Sequence, residues 1–147
     1  LDVMILGATE IDTDFNVNVT TGSSGMIMGG SGGHSDTAAG SKLAIVVTQL
    51  VKGRLPIVVD HVTTVTTPGE TIDVLVTERG IAVNPRRQDL IESLEKTNLP
   101  IMSIEDLKKM AEDITGVPEK IELDDELVAV VEYRDGTVID VVRKIRD

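Results

Sequence analysis

The feature that most constrains this chain is Gly25-Met26-Ile27-Met28-Gly29-Gly30-Ser31-Gly32-Gly33-His34-Ser35-Asp36. Five of these twelve residues are glycine, a density found nowhere else in the sequence. Without a Cβ, glycine reaches positive φ and lets another molecule approach the backbone closely. Gly29-Gly30-Ser31-Gly32-Gly33 can therefore turn several backbone N–H groups toward one point. Such a nest suits an anion, or the negative charge that develops on a carbonyl oxygen during acyl transfer. A flexible surface loop is the competing reading of the same composition. Apolar Met26-Ile27-Met28 before the run and β-prone Leu43-Ala44-Ile45-Val46-Val47 after it favour a loop anchored in a core.

A chain of 147 residues, 41% hydrophobic, can bury a core in one domain. It begins with Leu1, and Leu1–Leu6 already reads as strand, so a piece of a longer or processed protein is expected. The net charge of -11, from 25 acidic against 14 basic residues, disfavours nucleic acid and anionic membranes as partners. Phe15 and Tyr133 are the only aromatic residues, which removes the stacking platforms of single-strand binders. The absence of cysteine excludes disulfides, thiolate metal sites and a cysteine nucleophile, and accords with a cytoplasmic location. No apolar run reaches the ~20 residues of a membrane helix.

Along the chain, Leu1–Leu6 reads as a buried strand closed by Gly7, and 8–19 as a strand pair turning at Asp12–Asp14. Glu10, Asp12 and Asp14 share a face in an extended chain, which suggests a solvated edge or, less simply, a metal site. A helical turn capped by Ser35 or Asp36 follows the glycine loop. Further strands are expected over 42–48, 56–60, 62–67 and 74–77. Near-continuous apolar strands imply a sheet covered on both faces. Asn84-Pro85 suggests an N-cap before Leu90, Ile91 and Leu94. Ser103 caps a second helix whose apolar stripe is Leu107, Met110, Ala111 and Ile114, stopped by Gly116 and Pro118. Asp135-Gly136 between two β runs predicts a terminal hairpin.

Nucleotide motifs fail: Lys42 follows Gly40-Ser41 outside any phosphate-loop pattern, and Ser35 stands where G-x-G-x-x-G requires glycine. A Ser-His-Asp set can be drawn from Ser31, Ser35, His34, His61, Asp36 and Asp60, but no G-x-S-x-G elbow centres on either serine. His34 is read as hydrogen-bonding to ligand or loop backbone, and His61 as structural. Asp36 is read as capping the following turn or pinning the glycine backbone.

Gly29-Gly30-Ser31-Gly32-Gly33-His34-Ser35-Asp36 matches the G-G-x-G-G-x-x-D loop of CoA-transferases. Thr9–Val19, Asp36–Gly40, Val62–Val65, Val76–Pro85 and Val130–Val142 resemble the alpha-subunit family of bacterial citrate lyase within that superfamily. The resemblance implies a mixed α/β fold, with residues 1–147 as the C-terminal CoA-transferase-like part of a longer subunit and 117–147 as a hairpin extension. It implies exchange of acetate for citrate on a carrier thioester. It also implies a CoA-like, phosphopantetheine-type prosthetic group on a partner acyl-carrier (gamma) subunit, a lyase (beta) subunit that cleaves the product, and an oligomer.

By the same resemblance, Gly32 and Gly33 are catalytic amide donors, while Gly29, Gly30, Ser31, His34 and Asp36 contact substrate or CoA-like arm. One donor of this kind is worth roughly 3–4 kcal/mol of barrier. Glu10 lies in no recognisable nucleophile motif, and Glu78, in Glu78-Arg79-Gly80, follows the loop and reads as structural. Arg54, Arg86 and Arg87 are candidates for citrate carboxylates or ordinary solvated surface. A non-catalytic module for carrier binding or subunit docking, and a CoA-transferase for another small acid, are the alternatives.

Overall fold

The computed structural model describes residues 1–146. Strand β1 (Val3–Leu6) leads to β2 (Glu10–Asp12), a tight turn and β3 (Val17–Asn18). The glycine loop runs into helix α1 (His34–Ala39) and β4 (Leu43–Val47). Next come β5 (Val51–Lys52), β6 (Leu55–Pro56) and β7 (Val58–Val59). A 3-10 turn at Gly69–Thr71 precedes β8 (Val74–Val76), β9 (Ile81–Val83), α2 (Gln88–Leu94) and α3 (Ile104–Thr115). The hairpin strands β10 (Leu123–Glu132) and β11 (Val138–Ile145) follow.

The main sheet has the order β1-β4-β8-β9, parallel across the first three strands and antiparallel at β9. Its Ala44, Val46, Leu75 and Ala82 side is fully buried and, with Ile11, Val17, Phe15, Leu50 and Leu107, forms the core. A second sheet, β3-β2-β7, stands beside it, with β2 parallel to β7 and antiparallel to β3. Gly53 (φ 58°) and Arg54 (φ 70°) supply the two left-handed residues that the tight β5–β6 hairpin requires. The architecture is mixed α/β with several sheets and few helices, as the residue pattern implies.

Helix α3 follows its local signals. The Ser103 hydroxyl accepts from the Asp106 N–H at 3.1 Å, and Gly116 (φ 77°) takes the left-handed position beyond the last turn. Ile104, Leu107 and Ala111 face the core, but Ile114 is exposed rather than part of the stripe. The hairpin turn at Arg134–Gly136 also forms, closed by Tyr133 N–H to Thr137 at 2.7 Å, with Gly136 at φ 84°.

Three local expectations give way. The 62–67 stretch is irregular, not a strand. Its hydroxyls and amides bond mostly with Glu10, Val19, Thr21 and Asp140, which leaves only an isolated antiparallel bridge from Thr67 to Val17 among the described residues. Asn84 does not cap α2, whose N-cap is Arg87 without a side-chain bond. Instead the buried Asn84 amide donates to Gly69 and Ile72 carbonyls at 3.0 and 2.8 Å, and its Oδ1 accepts from Arg86 N–H. Neither Ser35 nor Asp36 caps α1, which begins after Gly33 with no side-chain cap. The helix starts too early in the sequence for either to occupy the cap position.

Candidate functional site: the glycine loop and its anchors

Where the loop's backbone bonds go decides what it can do. Its first half is tied down: Gly22 N–H donates to Met26 O, and Met28 N–H to Thr20 O, both at 2.9 Å. Gly29 N–H reaches Thr20 O only at 3.4 Å. Among the described residues, the N–H groups of Gly30, Ser31, Gly32 and Gly33 have no acceptor, and all three glycines are exposed. A Cβ built on Gly29, Gly30 or Gly32 would meet nothing within 4 Å, so the backbone is open to approach. Gly32 sits at φ 54°, a conformation that a side chain would strain.

Both ends of this open arc are anchored on a buried polar layer. At the entry, Asn18 Oδ1 accepts from the Thr20 and Thr21 amides at 3.0 Å, and its amide donates to Glu10 Oε2 at 2.9 Å. Thr21 donates to Thr64 Oγ1 at 3.0 Å, and Thr20 and Thr66 hydroxyls lie 2.9 Å apart. Glu10, Asn18, Thr21, Thr64 and Thr66 are all buried, and no buried side-chain polar atom among the described residues lacks a partner. A satisfied network of this kind rigidifies what it holds.

At the exit stands His34. Its Nε2 lies 2.9 Å from the Gly7 carbonyl, and its Nδ1 lies 2.7 Å from Thr67 Oγ1. A carbonyl only accepts, so Nε2 carries the proton and Nδ1 accepts the threonine hydroxyl. Burial lowers the imidazole pKa, with the Gly7 bond opposing the shift. The ring thus staples the start of α1 to the β1–β2 connection, not to the glycine backbone or an open ligand position. Thr37 completes the anchor by donating to Gly33 O at 2.8 Å. Asp36 is exposed, and among the described residues its carboxylate accepts no loop amide; Ser31 is half-buried. The loop is pinned from outside, by the bonds of Asn18 and His34.

The carboxylates of β2 are structural. Asp12 accepts from Asp14 N–H (3.0 Å), Asn16 N–H (2.9 Å), Asn16 Nδ2 (3.1 Å) and Val62 N–H (3.3 Å). It does so while burial raises its pKa against those donors. Glu10 and Asp12 therefore form no solvated edge, and among the described residues no acidic or histidine group is arranged for a metal. Glu78 accepts from Leu50 N–H at 3.0 Å, the structural part read for it.

Among the described residues no triad assembles: Asp60 pairs with Lys108, whose ammonium lowers its pKa, and neither histidine bonds a serine. His61 is exposed and makes no hydrogen bond among the described residues. It lines a cavity of about 420 Å³ with Glu10, Lys120 and Ile121. Neither that cavity nor another of about 430 Å³ beside Phe15 and Arg86 includes a residue from 25–36. Arg87 is engaged by Asp73 at 2.7 Å and Asp89 at 2.8 Å, which raises its pKa, while Asp89 falls to about 2. Arg86 faces Glu70 at 3.7 Å, and Arg54 is exposed. The sequence reading missed Asn18, Thr64, Thr66 and Thr67. Their signal was present as polar residues inside otherwise β-prone runs.

The fold is that of the CoA-transferases: an acyl-CoA transferase from Escherichia coli O157:H7 superposes over 82% of the chain with a TM-score of 0.50 at 22% identity. The chain belongs to the citrate lyase alpha-subunit family (CitF), whose model matches residues 1–145. It is 58% identical over its full length to the citrate lyase alpha chain of Klebsiella pneumoniae, covering 29% of that protein. The alpha subunit of citrate lyase from Streptococcus mutans, solved in complex with citrate, matches all of it with a TM-score of 0.97 at 53% identity. The chain spans 29% of that structure as well. No helix among the described residues is long and apolar enough to cross a membrane.

Proposed function

We propose that this chain carries the oxyanion-stabilising loop of a citrate lyase alpha chain, acting in exchange of acetate for citrate on a carrier thioester. The observation that carries the reading is the set of N–H groups at Gly30, Ser31, Gly32 and Gly33 with no acceptor among the described residues. An exposed arc of donors costs no internal bonds to present, and its anchors hold it in one shape before substrate arrives. A CoA-like arm on an acyl-carrier subunit, when bound, supplies the thioester carbonyl at which exchange takes place. The residues present fit such a group, since its carbonyl oxygen needs backbone donors and room where side chains would stand.

In this mechanism Gly32 and Gly33 donate to the carbonyl oxygen as charge develops on it. Gly29, Gly30 and Ser31 border the acyl group. His34 acts at a distance by fixing the loop, and Asp36 places a carboxylate in the first turn of α1. No side chain of this segment is asked to be a nucleophile. The rest of a longer alpha chain, with the acyl-carrier and lyase subunits, would close the site, because the loop lies open to solvent here. Citrate and acetate are the acids exchanged.

The test is Gly32→Val in a full-length alpha chain carrying this segment, with acetate release from acetyl-carrier measured in the presence of citrate. Gly53→Val is the control, since Gly53 has a similar φ of 58° and equal space but lies in the β5–β6 turn. Turnover should fall about 100-fold or more in the first variant and stay near the parent in the second. Equal turnover in both, with intact folding, removes the loop from catalysis.

A further inference from the structure

The open arc hangs, at its entry, on one carbonyl. Thr20 O accepts from Met28 N–H at 2.9 Å and from Gly29 N–H at 3.4 Å, and among the described residues no other hydrogen bond holds 28 and 29. Where that carbonyl points therefore sets where the run from Gly30 to Gly33 begins. The Thr20 carbonyl and the Thr21 N–H belong to one peptide unit, planar and trans, so they point in opposite directions. Asn18 Oδ1 holds the Thr21 N–H, and the Thr20 N–H beside it, at 3.0 Å each. Fixing the N–H side of this plate aims its carbonyl side at the loop.

We infer that Asn18 is a positioning residue for acyl exchange, aiming the donor arc through the Thr20–Thr21 peptide. It is 0% exposed, so it acts through that peptide and not on substrate. Its side chain has one orientation open to it. Nδ2 donates to Glu10 Oε2 at 2.9 Å and to Thr21 Oγ1 at 3.0 Å. A carboxylate only accepts, so the end of the amide facing Glu10 is the donor and Oδ1 is left facing the two backbone N–H groups. Glu10 is held in turn by the Thr63 N–H at 3.0 Å, and the Asn18 backbone is paired opposite Glu10 across β3 and β2. Rigid strands thus fix the side chain, the side chain fixes the plate, and the plate fixes the loop. The inference rests on the oxyanion reading of the loop and names the residue that aims it.

Three variants of a full-length alpha chain carrying this segment test it, with acetyl-carrier and citrate as substrates. Asn18→Leu keeps the volume and removes the side-chain bonds. Asn84→Leu is the control, because that buried asparagine also bonds three backbone groups, at Gly69, Ile72 and Arg86 instead of at the loop. Both should lose stability in urea. Only Asn18→Leu should lower kcat, by at least about 10-fold with both KM values within about twofold, since misaimed donors weaken the transition state alone. Amide hydrogen exchange at Met28, which needs no turnover, should quicken in Asn18→Leu and not in Asn84→Leu. Asn18→Asp keeps the acceptor and shares one proton with the Glu10 carboxyl, so its kcat relative to the parent should recover toward acid pH and fall as pH rises. A kcat loss equal in the two leucine variants, a loss confined to KM, or unchanged Met28 exchange would overturn the inference. If Asn18→Leu does not fold, Asn18→Asp decides: a ratio to the parent that is flat with pH overturns it. An inactive Gly32→Val beside a parent-like Asn18→Leu refutes this inference alone, whereas a parent-like Gly32→Val removes the loop's role and the inference with it.

Discussion

Replacing Asp12 by alanine should unfold more of this protein than any surface carboxylate could. The side chain is 2% exposed and accepts from three backbone N–H groups and one side-chain amide, at 2.9–3.3 Å. These bonds fix the 13–16 turn, in which Phe15 holds a left-handed φ of 65°, and join it to Val62. At about 1 kcal/mol net for each bond, the four are worth about 4 kcal/mol. Removing a buried charge returns part of that, about 1 kcal/mol, so Asp12→Ala should cost about 3 kcal/mol at pH 7. Urea unfolding followed by far-UV circular dichroism measures it.

The pH dependence adds a second check on the same residue. Burial raises the folded-state pKa of Asp12, so its titration contributes stability that is present below the unfolded value of about 3.9. That contribution is lost as pH rises through the higher folded value. Asp12→Asn has no such titration, so its deficit relative to the parent should be larger at pH 4 than at pH 7. A cost under 1 kcal/mol for the alanine variant, or a deficit that grows with pH, would refute the reasoning.

Three further outcomes follow, two from close packing at glycines and one from the His34 anchor. A Cβ at Gly69 would collide with the Asp14 carbonyl oxygen and lie 2.8 Å from Asn16 N, both rigid backbone, so Gly69→Ala should cost about 3 kcal/mol. At Gly80 the obstacle is the flexible Met102 thioether at 2.7 Å, and Gly80→Ala should cost under half as much in the same urea titration. His34, neutral and with a lowered pKa, contributes stability that is complete above about pH 6.5 and is lost as pH falls through its folded value. His34→Asn should flatten the stability profile over that window, and an unchanged profile would show that the imidazole does not titrate against folding.

Some of this molecule is written in short stretches of sequence. Ser103 and Gly116 bound α3, Asp135-Gly136 turns the hairpin, and the glycine run stays open because nothing within a few residues of it can close it. Caps and tight turns act over four residues or fewer, so the local sequence contains both partners. The family was legible for a related reason: a motif is read in order along the chain, and the family model matches residues 1–145.

Only the tertiary structure decided what the polar residues do. Glu10 meets Thr63 across 53 positions, His34 meets Thr67 across 33, and Asp140 takes the Val65 amide across 75. β-Branched threonines at 63, 64, 66 and 67 favour a strand by propensity, yet those distant acceptors outweigh a preference worth at most about 1 kcal/mol. The same holds for Arg87, a candidate for citrate carboxylates by residue type, whose guanidinium is held by Asp73 in the preceding strand region as well as by its neighbour Asp89. A hydrogen bond rewards proximity in space, and the chain alone encodes that proximity only where its partners are also close in sequence.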